Sequence, residues 1–151
     1  VRKWTNVNTT NGISISANGR NSTSSMRSDP TSNNAYVRRT LTAQARWFIG
    51  FAFRKNTTAP SADDVIAAVI DVGTIQCSLR LRSDRTLRVI NGDGTVLGTS
   101  TTTLTLGTYY FIEWDIPIGG SVTTIVRVDG VNALNLTGVD TQNTVNACWP
   151  S

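Results

Sequence analysis

Histidine is absent from this chain of 151 residues, glutamate occurs once, as Glu113, and lysine occurs only twice. A chain without histidine cannot build a Ser-His-Asp triad, a Cys-His pair or a histidine metal site. The commonest hydrolytic mechanisms are therefore excluded. We expect a protein that is not an enzyme and that needs no cofactor.

Long apolar runs and cysteines are also scarce. No stretch reaches the roughly 18 apolar residues of a membrane-spanning helix, and no basic-then-apolar segment opens the sequence. We therefore expect a soluble chain with neither a membrane span nor a signal peptide. Two cysteines are too few to establish a disulfide framework. Cys77 lies in an alternating apolar run, which predicts a buried free thiol.

The abundant residues are Thr, Ser, Asn and Gly. Because β-branched and turn-forming residues are poor helix formers, this composition predicts an all-β fold with little helix. The length suits a single domain over residues 1–151. Residues 1–34 form a polar, loop-rich N-terminal segment, in which we expect short strands near 12–17 and 24–28 and a loop at Asp29-Pro30.

Apolar residues alternate along the remaining sequence with the two-residue period of half-buried strands. The predicted inward sets are Trp47, Ile49, Phe51 and Phe53; Ile75, Cys77, Leu79 and Leu81; and Tyr110, Ile112, Trp114, Ile116 and Ile118. In the second of these strands, the alternation places Gln76, Ser78, Arg80 and Arg82 on the outward face. Strands are also expected over 36–41 and 65–71, with one helical turn as the alternative for 65–71.

Turn residues separate these strands at short intervals. Asn91-Gly92-Asp93-Gly94 is the strongest turn signal, because both glycines permit positive φ and Asn and Asp tolerate it. Further hairpins are predicted at 83–85, 119–120 and 129–130. Many short strands joined by such turns predict an antiparallel β-sandwich or jelly roll.

The segment 46–143 resembles the concanavalin A-like superfamily, in particular the laminin-G-like domains of phage virion proteins. Two of the segments that carry it are Gly107-Thr108-Tyr109-Tyr110-Phe111-Ile112-Glu113 and Val126-Arg127-Val128-Asp129-Gly130, which are specific only together with the others. The other segments that carry the resemblance, in the order found in those domains, are 51–54, 76–81, 87–94, 97–100 and 134–143. The resemblance implies a concanavalin A-like jelly roll in a virion structural protein.

Domains of that family usually have a further strand before the segment that matches Trp4 and further strands after the segment that matches Asn143. We expect either that the sequence is a fragment or that neighbouring subunits supply the missing edge strands, because an unpaired sheet edge accepts an added strand. The second alternative predicts an aggregated or molten chain in isolation.

Glu113 and Asp115 stand two residues apart, so they point to the same face of one strand. Glycosidases of the concanavalin A-like fold carry an E-x-D-x-x-E pattern, in which the two glutamates act as nucleophile and acid/base. This chain has no second glutamate. A glycoside hydrolase is therefore a remote alternative, and we expect both carboxylates to decorate a sheet face.

The turn at 91–94 also has to be considered as a calcium site. Asn91 and Asp93 offer side-chain oxygens, but calcium needs several more from a compact loop. Since turn chemistry alone explains these residues, we predict no metal site.

Arg80, Arg82 and Arg88 are expected to be neighbours on the outward face of one hairpin, and Arg46 and Arg54 repeat the motif on another strand. Such a patch, in a chain with a net charge of +4, can bind an acidic glycan or an acidic protein surface through bidentate contacts. An ordinary solvated strand face is the alternative.

Four aromatic residues are candidates for stacking on sugars or for packing on a partner: Trp4, Tyr109, Phe111 and Trp149. The complete set of candidate ligand-binding residues is Arg80, Arg82, Arg88, Tyr109, Phe111, Glu113 and Asp115.

With the resemblance, these features predict a structural protein of the extracellular virion, either a capsid decoration protein or a tail or fibre component. The expected partners are other virion or capsid subunits and further copies of the chain, with glycans as a second class. Neither nucleic acid nor a membrane is expected as a partner. A carbohydrate-binding module or lectin is the alternative function.

Overall fold

The computed structural model of the chain describes residues 41–143, except 43 and 57, and before them the backbone of four short strands. The chain divides into two compact units, Val1–Thr42 and Ala43–Ser151. The single domain over 1–151 stays a prediction. Within the described segments every regular element is a strand. These segments contain no helix that is long and apolar enough to cross a membrane.

The first unit contains short paired strands. The pairs are antiparallel and join β1 (Asn6–Val7) with β4 (Val37–Arg38) and β2 (Ile13–Ser16) with β3 (Ser25–Ser28). The strands expected near 12–17 and 24–28 are confirmed. Of the strand expected over 36–41, Val37–Arg38 is a strand and Leu41 is not, and residues 36, 39 and 40 lie outside the described residues. The loop predicted at Asp29-Pro30 and the aromatic residue Trp4 lie outside the described residues.

The second unit contains two four-stranded antiparallel sheets. Its strands are β5 (Arg46–Phe53), β6 (Asp64–Asp71), β7 (Thr74–Leu81), β8 (Thr86–Asn91), β9 (Val96–Thr103), β10 (Tyr110–Pro117), β11 (Val122–Val128) and β12 (Val131–Val139). The order is β12-β11-β10-β5 in one sheet and β6-β7-β8-β9 in the other. The sheets pack on a shared core, which confirms the predicted antiparallel β-sandwich. Residues 65–71 are part of a strand, not a helical turn.

Every residue that the alternation placed inward, except Ile75, belongs to the core between the sheets or packs against it. Trp114 is 1% exposed, and its indole N–H donates to Thr124 Oγ1 at 3.0 Å. The Thr124 hydroxyl in turn donates to the Asp115 carbonyl at 2.8 Å, so both buried polar groups have partners. Cys77 is a buried free thiol, as predicted.

Gln76 and Ser78 contradict the predicted outward face of β7, because both are fully buried. The residues after β12 contact this strand. The backbone N–H of Asn143 donates to Gln76 Oε1 at 2.9 Å, and Asn143 Nδ2 donates to the Ile75 carbonyl at 3.2 Å. The two-residue period assigns side chains to a face of the strand, but it does not reveal what covers that face.

The turn at 91–94 forms as predicted, although its two glycines have different roles. Gly94 has a positive φ of 97°, whereas Gly92 does not have a positive φ. A Cβ on Gly92 would lie 1.8 Å from the Ile75 carbonyl oxygen, and the Gly92 N–H donates to the Gln76 carbonyl at 2.8 Å. Gly92 is therefore required for the close approach of the turn to β7.

The four outer strands of the sheets differ in regularity. The pairings of β6, β9 and β12 with their neighbours contain register shifts, which are typical of β-bulges. In contrast, β5 pairs with β10 over eight consecutive residue pairs without a shift. Because bulges discourage pairing with another chain, β5 is the edge best suited to such pairing among the described strands of the second unit.

Candidate functional site

The arginine patch forms in part. Arg80 and Arg88 are directly opposite each other in the β7–β8 register, as expected. Arg88 makes an ion pair with Asp63 at 2.9 Å, and Arg80 Nε donates to Ser78 Oγ at 3.1 Å. Arg82 lies beyond the end of β7 and pairs with Asp84 in the turn. Intramolecular partners therefore use much of the hydrogen-bonding capacity that a ligand would need.

Tyr109 and Phe111 lie near β5 on the outward side of the other sheet. The Arg54 guanidinium is 5.4 Å from the centre of the Tyr109 ring, within the range of a cation–π contact. Phe111 is directly opposite Ala52 in the register and is 37% exposed. Its ring also lies close to Gly50, where a Cβ would be 3.3 Å from the ring. Both aromatic residues are thus part of the β5–β10 surface.

Asp115 does not have a free carboxylate. Arg46 donates to it through Nε at 2.8 Å and through Nη2 at 2.7 Å, a bidentate pair in which the Asp115 side chain is 8% exposed. The hydrogen bonds and charge of Asp115 raise the pKa of the Arg46 guanidinium. The same guanidinium lies 4.9 Å from the centre of the Phe48 ring. Arg46 therefore links Asp115 of β10 to Phe48 of β5.

Glu113 lies in an open depression on this outward face. In the sheet register it has Gly50 on one side and Arg127 on the other. Phe48 and Asp115 also line the depression, whose volume is about 150 Å³. Glu113 and Arg127 form no ion pair with any residue that the structure describes, although they are opposite each other. This site offers a carboxylate, a guanidinium and an aromatic ring.

Three residues of this site were not among the predicted site residues: Phe48, Gly50 and Arg127. Phe48 is 73% exposed, more than any other aromatic side chain described. Its signal in the sequence is a phenylalanine on the polar face of an alternating strand. Gly50 and Arg127 gave no local signal, because their proximity to Glu113 depends on the pairing of three strands.

The other predicted candidates have separate locations. Trp4 and Trp149 lie outside the described residues. At the turn, Asp93 Oδ1 accepts from the Thr95 N–H at 2.8 Å, and this bond lowers the pKa of Asp93. No group of three or more His, Cys, Asp or Glu residues in the described segments is placed to hold a metal ion.

The sequence matches no protein-family model, no curated protein sequence and no solved structure.

Proposed function

We propose that the protein is a structural subunit of a phage-like virion, either a capsid decoration protein or a tail or fibre component, which acts through protein–protein contacts. The observation that carries this proposal is the regular outer edge of β5, since an edge strand without bulges can accept a strand from another chain. The virion setting rests on the resemblance of residues 46–143 to laminin-G-like domains of phage virion proteins.

The state of the carboxylates supports a role without catalysis. A retaining glycosidase needs two carboxyl groups about 5 Å apart, one as nucleophile and one as acid/base. Glu113 is the single glutamate of the chain. Its neighbour Asp115 accepts both hydrogen bonds from Arg46 and is largely buried by this pair. Among the residues that the structure describes, no second available carboxylate therefore lies beside Glu113.

The intramolecular ion pairs support protein partners over polyanions. Arg46, Arg82 and Arg88 each pair with an aspartate of the same chain. Binding to a nucleic acid depends on basic side chains that neutralise several phosphates. Pairing within the chain reduces the positive charge that these three arginines can offer to such a ligand.

The proposal can be tested by the mass of the purified chain, measured by light scattering on a size-exclusion column, with a thermal melt of the same sample. We expect an oligomer of the 16.3 kDa chain. We also expect a melting temperature that rises with protein concentration, because association stabilises the folded state by mass action. A monomer that melts sharply at the same temperature at every concentration would contradict the proposal.

A carbohydrate-binding module is the second candidate, and the depression at Glu113 favours it. Sugar-binding sites commonly combine an aromatic surface with a few polar groups that hydrogen-bond hydroxyls. Phe48, Glu113 and Arg127 provide these groups at one place. Retention on polysaccharide columns tests this function: Glu113→Ala should abolish retention, whereas Thr101→Ala, an exposed change on the other sheet, should not. A wild-type chain that passes through every column unretained would rule out this candidate.

A further inference from the structure

We propose that β5 binds a second copy of the same chain. Two β5 strands pair antiparallel across a two-fold axis at Ile49 and join two four-stranded sheets into one sheet of eight strands. This inference rests on the proposed function and deepens it, because it names the surface and the partner with which the subunit first assembles.

Alternate residues of β5 direct their backbone groups to the outer edge of the sheet. The Ile118 N–H donates to the Ala45 carbonyl at 2.8 Å, so the backbone groups of residue 45 face β10. In an antiparallel ladder this direction alternates from one residue to the next. The N–H and C=O groups of Arg46, Phe48, Gly50 and Ala52 therefore point to the outer edge. Among the strands described, β10 alone pairs with β5.

The positions of these four residues determine the register of the proposed pair. Arg46, Phe48, Gly50 and Ala52 are symmetric about Ile49. A two-fold axis at Ile49 places Phe48 opposite Gly50 of the second copy and Arg46 opposite its Ala52. All four residues then form hydrogen-bonded pairs, each of which exchanges two backbone hydrogen bonds.

The two neighbouring registers would give a less stable pair of β5 strands. An axis at Gly50 would place Arg46 opposite Arg54 of the second copy, and like charges directly opposite each other destabilise a sheet. An axis at Phe48 would place Ala52 beyond the end of the partner's strand. The charge pattern and the strand length thus select the axis at Ile49.

The side chains on the outward face fit the same register. Phe48 is 73% exposed, whereas Gly50, two residues along, has no side chain and lines the depression. In the proposed dimer each Phe48 lies across from the partner's Gly50, which has no side chain to block it, and beside the Phe111 ring that lies close to this glycine. Because a two-fold interface is self-complementary, the contact forms twice.

The inward face and the charges are also compatible with pairing. Trp47 would lie opposite Phe51 of the second copy, and both are only partly buried against the core of one chain. Cross-strand aromatic pairs stabilise a sheet. The charge of Arg46, which could otherwise discourage edge pairing, would lie opposite the uncharged Ala52 of the second copy in this register.

Two variants test the interface by light scattering over a dilution series. We expect the wild-type chain to have twice the mass of 16.3 kDa and Phe48→Lys to raise the dissociation constant at least about tenfold. The matched control is Val131→Lys on β12 of the same sheet, where the side chain is 71% exposed, and it should leave the dimer intact.

Ala52→Pro tests strand pairing separately from side-chain packing. The Ala52 N–H points away from β10, so proline there keeps the β5–β10 ladder and removes two hydrogen bonds from the dimer. We expect a weaker dimer with an unchanged circular dichroism spectrum. The spectrum of each variant shows that a loss of mass does not come from unfolding.

The register has its own test. In a Cys148→Ser background, Ile49→Cys places two thiols at the two-fold axis. They would lie in a non-hydrogen-bonded pair, whose Cα separation of about 4.5 Å permits a disulfide. We expect a covalent dimer under mild oxidation, and none for Val131→Cys in the same background.

The outcomes separate this inference from the proposed function. An oligomer that survives both Phe48→Lys and Ala52→Pro would overturn the β5 interface and leave the proposed function standing. A wild-type monomer at all concentrations would overturn both. A monomer whose Phe48 and Gly50 amides are protected from hydrogen exchange would assign the β5 edge to another segment of its own chain, and this also overturns the inference.

Discussion

The backbone N–H of Asn143 donates a hydrogen bond of 2.9 Å to the side-chain oxygen of Gln76, across 67 positions of sequence. Two residues earlier, the Thr141 hydroxyl donates to the Pro117 carbonyl at 2.6 Å, and the Thr141 N–H donates to the Gly119 carbonyl at 3.0 Å. Residues 141–143 therefore connect the turn after β10 in one sheet to β7 in the other. This short segment holds the two sheets together at one end of the sandwich.

Gln76→Ala should lower the free energy of unfolding by about 1–3 kcal/mol, since it removes the acceptor that the fully buried Gln76 side chain offers to the Asn143 N–H. Chemical denaturation measures this loss. The matched control is Asn132→Ala, an exposed change on β12 that should alter stability by less than about 0.5 kcal/mol. Equal losses in the two variants would show that the hydrogen bond to Gln76 does not stabilise the fold.

Gly92→Ala should destabilise the fold much more than Gly98→Ala. At Gly92 the new Cβ would meet a backbone oxygen of β7 at 1.8 Å, so the strand or the turn must move. At Gly98 the nearest atom, at 2.5 Å, is the end of the Leu136 side chain, which can rotate. We expect a loss of about 3 kcal/mol at Gly92 and about 1 kcal/mol at Gly98, measured by denaturation. A reversed order would contradict this explanation.

Val72→Asn should stabilise the protein. Val72 and Gly73 form the tight turn between β6 and β7, and both have positive φ, 42° and 89°. A β-branched residue is strained in this conformation, whereas asparagine tolerates it. Because Val72 is 94% exposed, little packing is lost, and we expect a gain of about 1 kcal/mol. Val65→Asn, at an exposed valine inside β6, is the control and should give no gain.

The Cys77 thiol should be inert in the folded chain. Burial raises its pKa from 9.0 to about 12. In a Cys148→Ser background, we expect no reaction with a thiol reagent at pH 8 until denaturant is added. Rapid reaction without denaturant would show that the site opens readily.

The same pKa shift makes stability depend on pH. The contribution of Cys77 to folding stability is fully present below the pKa of the unfolded chain, near 9, because the thiol is then protonated in both the folded and the unfolded chain. It is lost as pH rises towards about 12, because the unfolded chain releases the proton first. The free energy of unfolding, measured by denaturation at several pH values between 8 and 11, should therefore fall more steeply with pH for the wild-type chain than for Cys77→Ala. Parallel curves would contradict the shift.

The candidate site was predictable only in part. The alternation in residues 110–118 correctly placed Glu113 and Asp115 on one face of a strand. It did not reveal that Arg46 holds the Asp115 carboxylate, or that Gly50 and Arg127 flank Glu113. These contacts depend on which strands are neighbours and on the register in which they pair. The sequence of a single strand reveals neither.

The sequence by itself determined the strands, most of the inward-facing residues and the main turns, because a period of two residues and the conformational preferences of Gly, Asn and Asp are local properties. The tertiary structure alone decided that Gln76 is buried, that Gly92 is needed for space and that β5 is the edge without a bulge. Each of these depends on atoms far apart in the chain. Their positions are set by the pairing and packing of whole strands.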